Sequence, residues 1–488
     1  MKAEYVLFFL SLLITGWGQQ NPVYIPDMEG RLITGRSGTH HWQPYMAQSD
    51  MSDYSHASPE AYEAFMDLKY GLRIHWGIYA LVHGRESWII NKKNTLAFQG
   101  MYHDLYKGWC PADFNAAEWA DIMKENGFKF FVFTTKHHDG FSMYDTKTKI
   151  VKRTAFFGPD SGKIETCDLH YSIMETPFGR DVTRELVDAA RSRGLRIGLY
   201  FSHPDWYDAD FRFDQWNPNR DTAYTPQHDP QAWARFEKRH QTQLEELLTQ
   251  YGQVDMLSLD MWFPDFAWPH QQALIKDLRK IQPDCMFRWR GIGNFGDYHT
   301  PENYIPGAEG QGTMPWQVIH TLSRRGIFSY EPDATYLRSG SWIIEKLIDI
   351  VSKGGNFMVG LGPDLTGKFH PKALEAIAYA GKWLKINGES IYKTRPWKYW
   401  QEGDSIRFTR SKDNKTVYII SLKWPGDKLV LQKVMPVPGT KLTMLGVEKS
   451  LEWHQQKERL IIKMPEELRL PENRPCRQAY VFKVTVKK

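Results

Sequence analysis

The sequence predicts an α/β protein: a (β/α)8-type barrel followed by a C-terminal antiparallel β-sandwich. Three observations point there. From about Tyr54 to Trp397, short apolar runs alternate with amphipathic helical stretches, the signature of a parallel sheet joined by helical crossovers. Six of those runs are distinct, and the glycine-rich stretch from Tyr304 to Tyr330 has room for two weaker ones, which completes the eight strands of a barrel. Beyond Trp397 the period changes to short alternating segments separated by turn residues, as in a sandwich.

Taken in order, the strand candidates are Leu72–Tyr79, Phe128–Phe133, Leu195–Phe201, Asp255–Asp260, Cys285–Trp289 and Asn356–Leu361. The helix candidates between and after them are Ala116–Asn126, Asp181–Arg193, Ala232–Leu248, His270–Ile281, Ser341–Val351 and Pro371–Ile386. In the second helix Val182, Leu186 and Ala189/Ala190 recur at core spacing. Gly127, Gly194 and Gly388 stand where C-terminal caps belong. An open doubly wound sheet is the alternative, but no glycine-rich dinucleotide loop follows a strand. The sandwich segments are Ser405–Arg410, Thr416–Leu422, Lys428–Leu431, Lys441–Leu445, Arg459–Met464 and Gln478–Val486, with turns at Asp413-Asn414, Pro425-Gly426 and Pro438-Gly439. The division expected is an export signal at 1–20, a barrel with an N-terminal extension at 21–396 and the sandwich at 397–488. The sandwich is expected to cover the barrel rather than bind sugar.

Composition narrows the function. The chain has 488 residues, 42% hydrophobic and 24% charged, with 62 basic against 57 acidic residues and a net charge of +5. That balance, without a basic run interleaved with aromatics, argues against nucleic acid. The 19 tryptophans favour a carbohydrate ligand, whose C–H faces pack on flat rings. Lys2 before the apolar run Val6 to Thr15, with Gly16 and Gly18 behind it, reads as a secretory signal cleaved near Gln19 or Gln20. The run is too short for a comfortable membrane span, and no later segment is apolar enough for one. A periplasmic or extracellular protein is expected. Cys110, Cys167, Cys285 and Cys476 are scattered without metal-site spacing and are expected to be free thiols.

The chemistry is expected at the C-terminal ends of the strands. His75-Trp76-Gly77, then Lys136-His137-His138-Asp139-Gly140, Tyr200 with His203, Asp260, and Arg288 with Arg290 all fall there. The most informative segment is YGQVDMLSLDMWFPDFAWP, Tyr251 to Pro269. A buried strand stops at Asp260, and Trp262, Phe263, Phe266 and Trp268 crowd behind it. A carboxylate so placed suits attack on an oxocarbenium-like carbon, although it also suits a plain helix cap. The second carboxyl is expected at Glu302, with Glu86, Asp205, Asp265, Asp297 and Glu309 competing. Adjacent His137 and His138 should face opposite ways on a regular strand, so hydrogen bonds to sugar hydroxyls are expected there rather than a metal; no cofactor is expected.

These motifs carry a resemblance. RIHWGIYA at 73–80, FTTKHHDGFSMYDT at 133–146, GRDVTRELVDAARSRGLRIGLYFS at 179–202 and YGQVDMLSLDMWF at 251–263 resemble the α-L-fucosidases of glycoside hydrolase family 29. GDYHTPE at 296–302, KGGNFMVGLGPDLTGK at 353–368 and WLKINGESIYKTRPW at 383–397 extend the resemblance over nearly the whole mature length. It implies a retaining exo-glycosidase that removes terminal α-L-fucosyl residues from oligosaccharides or glycoconjugates. It implies Asp260 as nucleophile and Glu302 as acid/base. His75, His137 and His138 are implied as imidazoles that bind fucose hydroxyls, Tyr200 as a neighbour of the reacting centre, and Arg290, in competition with Arg288, as the arginine near the acid/base. Trp88, Glu86 and Trp262 complete the expected sugar contacts. Two departures stand out. The family's Glu-Trp pair is Ser87-Trp88 here, with Glu86 one place early, and Gly326-Ile327-Phe328-Ser329-Tyr330 replaces a tryptophan-glycine-tyrosine spacing. They leave open a fucose-binding homologue with impaired catalysis, or a hydrolase of a related sugar such as a galactoside.

Overall fold

A computed structural model describes residues 44–47, 49–91, 93–221, 223–306 and 314–487. The expected export signal and Glu309 lie outside the described residues. Seven parallel strands form a curled sheet: β1 (Tyr70–Ile74), β2 (Phe130–Lys136), β3 (Arg196–Ser202), β4 (Met256–Asp260), β5 (Met286–Phe287), β6 (Gln317–Thr321) and β7 (Asn356–Leu361). They are hydrogen-bonded in the order β5-β4-β3-β2-β1-β7-β6. An irregular stretch, 298–302, joins the two edges: Tyr298 bridges in parallel to Arg288, and His299 and Glu302 bridge in parallel to Trp316 and Ile319. Eight staves thus run round the ring in chain order, the barrel that the alternation predicts. Of the two weak strands expected between Tyr304 and Tyr330, β6 is one. The other stave lies earlier, where Pro301 and left-handed Asn303 (φ 54°) interrupt ladder geometry.

Every residue of β1, β2, β4, β6 and β7 is buried, as parallel strands covered on both faces must be. Period two divides each strand between two cores. Leu257 and Leu259 pack outward beneath the helices, whereas Met256 packs inside the barrel with Phe130, Val132, Met286 and Met358. The same alternation positions the site. Ser258 and Asp260 share the inward face of Met256, and Arg288 and Arg290 continue the inward face of Met286.

The helices that follow barrel strands are α1 (Ala116–Glu125), α2 (Val182–Ser192), α3 (Pro230–Thr249), α4 (Trp268–Ile281), α5 (Gly340–Ser352) and α6 (Pro371–Asn387). Asn115, Asp181, Asp229 and Ser339 start four of them by accepting a backbone N–H two or three residues into the first turn. The face of α2 that is buried, Val182, Leu186, Val187 and Ala190, follows the expected spacing. Gly127 and Gly194 are left-handed beyond α1 and α2 (φ 86° and 73°). Gly388 is not; it is right-handed (φ −58°) and leads α6 into a further short helical turn. A hairpin of Ile150–Thr154 with Ile164–Leu169, absent from the sequence reading, lies between β2 and α2.

The C-terminal strands are β8 (Arg395–Glu402), β9 (Ile406–Arg410), β10 (Thr416–Ser421), β11 (Lys428–Leu431), β12 (Thr443–Met444), β13 (Trp453–Gln456), β14 (Arg459–Lys463) and β15 (Tyr480–Thr485). They form two antiparallel sheets, β8-β9-β10-β15-β12 and β11-β14-β13, around Phe408, Ile419, Leu431, Leu460 and Phe482. This unit docks on α5 and α6. Arg407 Nε donates to Asp349 at 2.9 Å, and the Trp383 indole N–H reaches the Gln478 and Ala479 carbonyls at 3.0 Å. The four cysteines are free thiols. Among the described residues no helix is long and apolar enough to cross a membrane.

Candidate active site

A pocket opens at the C-terminal ends of the strands, where Asp260 closes β4 and Glu302 ends the irregular stave. One nitrogen joins these acids: Arg290 Nη1 lies 2.9 Å from Asp260 Oδ1 and 2.6 Å from Glu302 Oε1. Those two oxygens are therefore no more than about 5.5 Å apart, a closeness compatible with a retaining carboxyl pair at roughly 5–5.5 Å. Arg288 Nη2 donates to the same Glu302 oxygen at 3.0 Å, and its Nη1 is 3.9 Å from Asp260 Oδ1. The Tyr200 hydroxyl donates to Asp260 Oδ2 at 2.7 Å and the Met261 N–H to Oδ1 at 3.0 Å. Asp260 is 8% exposed; a carboxylate so buried needs this set of charged and neutral donors. Both arginines compete for Glu302, as the sequence left open, but the shorter contact to each acid belongs to Arg290.

Left-handed backbone clusters here in residues other than glycine. Met261 (φ 67°) follows Asp260, Asn303 (φ 54°) follows Glu302, and Glu86 (φ 45°) lines the same pocket. Such conformations cost energy and persist where the surroundings over-determine them. Gly291 (φ 74°) is required for close approach, because a Cβ there would collide with the Met261 carbonyl.

Three imidazoles line the pocket: His75 after β1, and His137 and His138 after β2. The alternation expected to part His137 from His138 does not apply, since β2 ends at Lys136. A turn follows, closed by Gly140 (φ 84°), and the two rings are 4.1 Å apart. Burial, with Arg73 second, holds His75 well below the usual imidazole range; burial and His138 do the same for His137. Burial brings His138 down to about 4. Neutral imidazoles donate from one nitrogen and accept at the other. At His75 the choice is fixed. Arg73, on the inward face of β1, donates from Nη2 to His75 Nε2 at 3.3 Å; guanidinium has no acceptor, so the His75 proton must sit on Nδ1. The same guanidinium lies 4.0 Å from the centre of the Tyr200 ring, within cation–π range.

Several expected residues stand elsewhere. Trp262 is half-buried against the outer core and is not part of the pocket lining, because the left-handed turn at Met261 carries the chain away. Phe263 and Trp268 are core residues, so the aromatics behind Asp260 form a packing cluster rather than a sugar platform. His203 pairs with His240 at 3.0 Å. Asp205 is ion-paired to Arg239 and Asp297 to Arg279, each at 2.5 Å in the interior, and Asp265 is exposed outside the pocket. Among the described residues no group of three His, Cys, Asp or Glu side chains is placed to hold a metal ion.

The α-L-fucosidase family profile matches residues 39–389, and the α-L-fucosidase C-terminal domain profile matches residues 401–485. The chain belongs to the α-L-fucosidase family. It is a glycoside hydrolase. Relatives include the tissue α-L-fucosidase of Rattus norvegicus, 26% identical over 86% of this chain and 89% of that one. The plasma α-L-fucosidase of the same organism is 28% identical over 86% and 90%. Among solved structures, a family 29 α-L-fucosidase from Bacteroides thetaiotaomicron superposes with a TM-score of 0.71 at 23% identity, covering 88% of this chain and 96% of its own. Isoenzyme 1 from Paenibacillus thiaminolyticus gives 0.71 at 24% identity, covering 88% and 99%. These likenesses establish the shared fold.

In this fucosidase-family chain the two departures have structural counterparts. Ser87 turns inward: its Oγ is 2.6 Å from His137 Nδ1 and accepts the Asp139 N–H at 3.1 Å. Glu86 lines the pocket, yet its Oε1 accepts the N–H groups of Phe328 and Ser329, both at 2.7 Å. Burial, partly offset by those bonds, pushes Glu86 up to about 7. Phe328, from the altered segment, supplies a pocket wall 5.0 Å from the His75 ring. Sequence reading missed Arg73, Phe328 and Trp216. Arg73 had a visible signal, a lone charge inside an apolar strand two residues before His75. Trp216 had none, since it sits in a long polar loop.

Proposed function

We propose that this protein is an exported, retaining exo-α-L-fucosidase with Asp260 as nucleophile and Glu302 as acid/base. The observation that carries the reading is the Arg290 nitrogen held between the two carboxyls, whose nearer oxygens it keeps close enough to support a double displacement. Asp260 attacks the anomeric carbon of a terminal fucosyl residue. The bond from that carbon to the leaving oxygen breaks, its electron pair stays with the oxygen, and the oxygen takes the proton of Glu302. The resulting ester between Asp260 and the sugar is hydrolysed by a water that gives its proton to Glu302, restoring both acids and the original anomeric configuration. Oε1 of Glu302 faces the two arginines, which hold the acid in place beside Asp260. His75, His137, His138, Trp88, Glu86 and Tyr200 form the sugar pocket. A bacterial neighbour of this fold has been captured as a covalent intermediate with 2-fluoro-fucosyl fluoride, which supports the double displacement.

Proton NMR of the first-formed product from a panel of fucosides tests the reading: α-fucose must appear first. Initial β-fucose, or no turnover of any fucoside, contradicts it, and turnover of another aryl glycoside in the same screen redirects it to a related sugar. Glu302→Ala should lose turnover of natural glycosides yet retain part of it with a good leaving group, and azide should rescue it as a fucosyl azide. Export rests on the apolar run behind Lys2; N-terminal sequencing of secreted protein that begins at Gln19 or Gln20 checks it.

A further inference from the structure

The pocket mouth carries an aromatic ring, Trp216, that the catalytic reading does not use. Trp88 and Trp216 line the pocket yet are 38% and 47% exposed, which places them at its rim. Their ring centres are 5.8 Å apart at 85°. Trp88 is backed by Trp206 at 5.3 Å and His138 at 5.0 Å, so it forms the inner edge and Trp216 the outer. A single exposed apolar side chain needs no explanation, but this one is held in place. Asp214 accepts the Trp216 backbone N–H at 3.0 Å and the Trp206 indole N–H at 2.8 Å. Asn217 Nδ2 ties back to the Phe211 carbonyl at 2.7 Å, and Arg235 clamps Asp210 at the root of the loop with two bonds of 2.8 Å. A network of buried and half-buried polar groups therefore fixes an aromatic ring at the mouth of the pocket that holds Asp260 and Glu302.

We propose that Trp216 is a specificity-determining residue for the leaving group: its ring receives the C–H face of the pyranose from which the fucosyl residue is cleaved. The proposal rests on the catalytic reading of Asp260 and Glu302. A flat, weakly polar ring selects a partner with an apolar face of matching size, so a hexopyranose leaving group gains from it and a single-atom leaving group gains nothing. Trp216 does not touch the reacting atoms, and its contribution belongs to kcat/KM for extended substrates.

The test compares kcat/KM for two substrates in the full-length protein: α-L-fucosyl fluoride, whose leaving group ends inside the pocket, and the best-cleaved member of a panel of fucosyl disaccharides. Both constants report formation of the fucosyl-enzyme, so their ratio isolates contacts to the leaving group. Trp216→Ala should lower the disaccharide-to-fluoride ratio about tenfold, the scale of one lost stacking contact, and Trp216→Phe should recover most of it. Parallel losses on both substrates, or an unchanged ratio, overturn the proposal while leaving the catalytic pair intact. A wild-type protein inert to both substrates overturns the fucosidase reading and this proposal with it.

Discussion

Replacing Tyr200 by Phe removes one hydroxyl from the site and separates the two halves of the reaction. That hydroxyl donates to Asp260 Oδ2 at 2.7 Å and also lies 2.9 Å from Ser202 Oγ. A hydrogen bond to a charged partner is worth about 1.5–3 kcal/mol. Asp260 is a full anion in the free enzyme, an ester in the intermediate, and partly charged in both transition states. Roughly half of the bond is therefore at stake between the ester and the transition state that hydrolyses it, which amounts to about tenfold in rate. Formation of the ester starts from a carboxylate that loses the whole bond while its transition state loses about half, so that step is not slowed. The expected result is kcat lower by about tenfold, KM lower at least in parallel, and kcat/KM no lower than wild type. Stopped-flow with a chromogenic aryl fucoside should show a burst of aglycone matching the enzyme concentration. Equal losses in kcat and kcat/KM with no burst would refute the reasoning, because they would mean that Tyr200 acts on the first step or only holds the fold.

Arg73→Met removes the guanidinium from His75 Nε2 and from the Tyr200 ring; it should weaken inhibition by free fucose by about tenfold, on the scale of a desolvated cation–π contact, with Arg73→Lys recovering part of it. Glu86→Gln keeps an oxygen for the Phe328 and Ser329 N–H groups but removes the ionisation. Burial raises Glu86 to about 7 from an unfolded value near ~4.3, so its stabilising contribution is complete below the unfolded value and is lost as pH rises through about 7. The variant should then melt higher than wild type at pH ~8 and show no such advantage at pH ~4, by calorimetry at both. Asp205→Asn breaks the buried pair with Arg239 and should destabilise by about 3–5 kcal/mol, seen as a large drop in melting temperature.

Much of the barrel was legible because its strands are buried on both faces and end abruptly in polar residues. Asp255–Asp260 differs from β4 by one residue, and Asp260, Tyr200 and His75 were placed at strand ends by counting alone. Alternation within Met256–Asp260 even tells which residues face inward. The sixth stave was illegible because Tyr298 to Glu302 has a proline and no apolar run, and it is held by isolated bridges. β8 and β13 were hidden by their polar and aromatic composition, Arg395–Glu402 being nowhere fully buried. The aromatics after Asp260 misled for a definite reason: a single left-handed residue, Met261, sends Trp262 out of the pocket. Of the rings that do line it, Phe328, Trp88 and Trp216 come from three separate loops, and loop conformation leaves no period in a sequence.

The most direct test of the double displacement is to capture its intermediate. The full-length protein is incubated with a 2-deoxy-2-fluoro-fucosyl fluoride, its intact mass is measured, and the labelled peptide is sequenced by tandem mass spectrometry. One fluorofucosyl adduct, carried on Asp260 and absent from Asp260→Asn, is the predicted result. An adduct on Glu302, Glu86 or any other side chain, or none while the substrate is still consumed, would contradict the account.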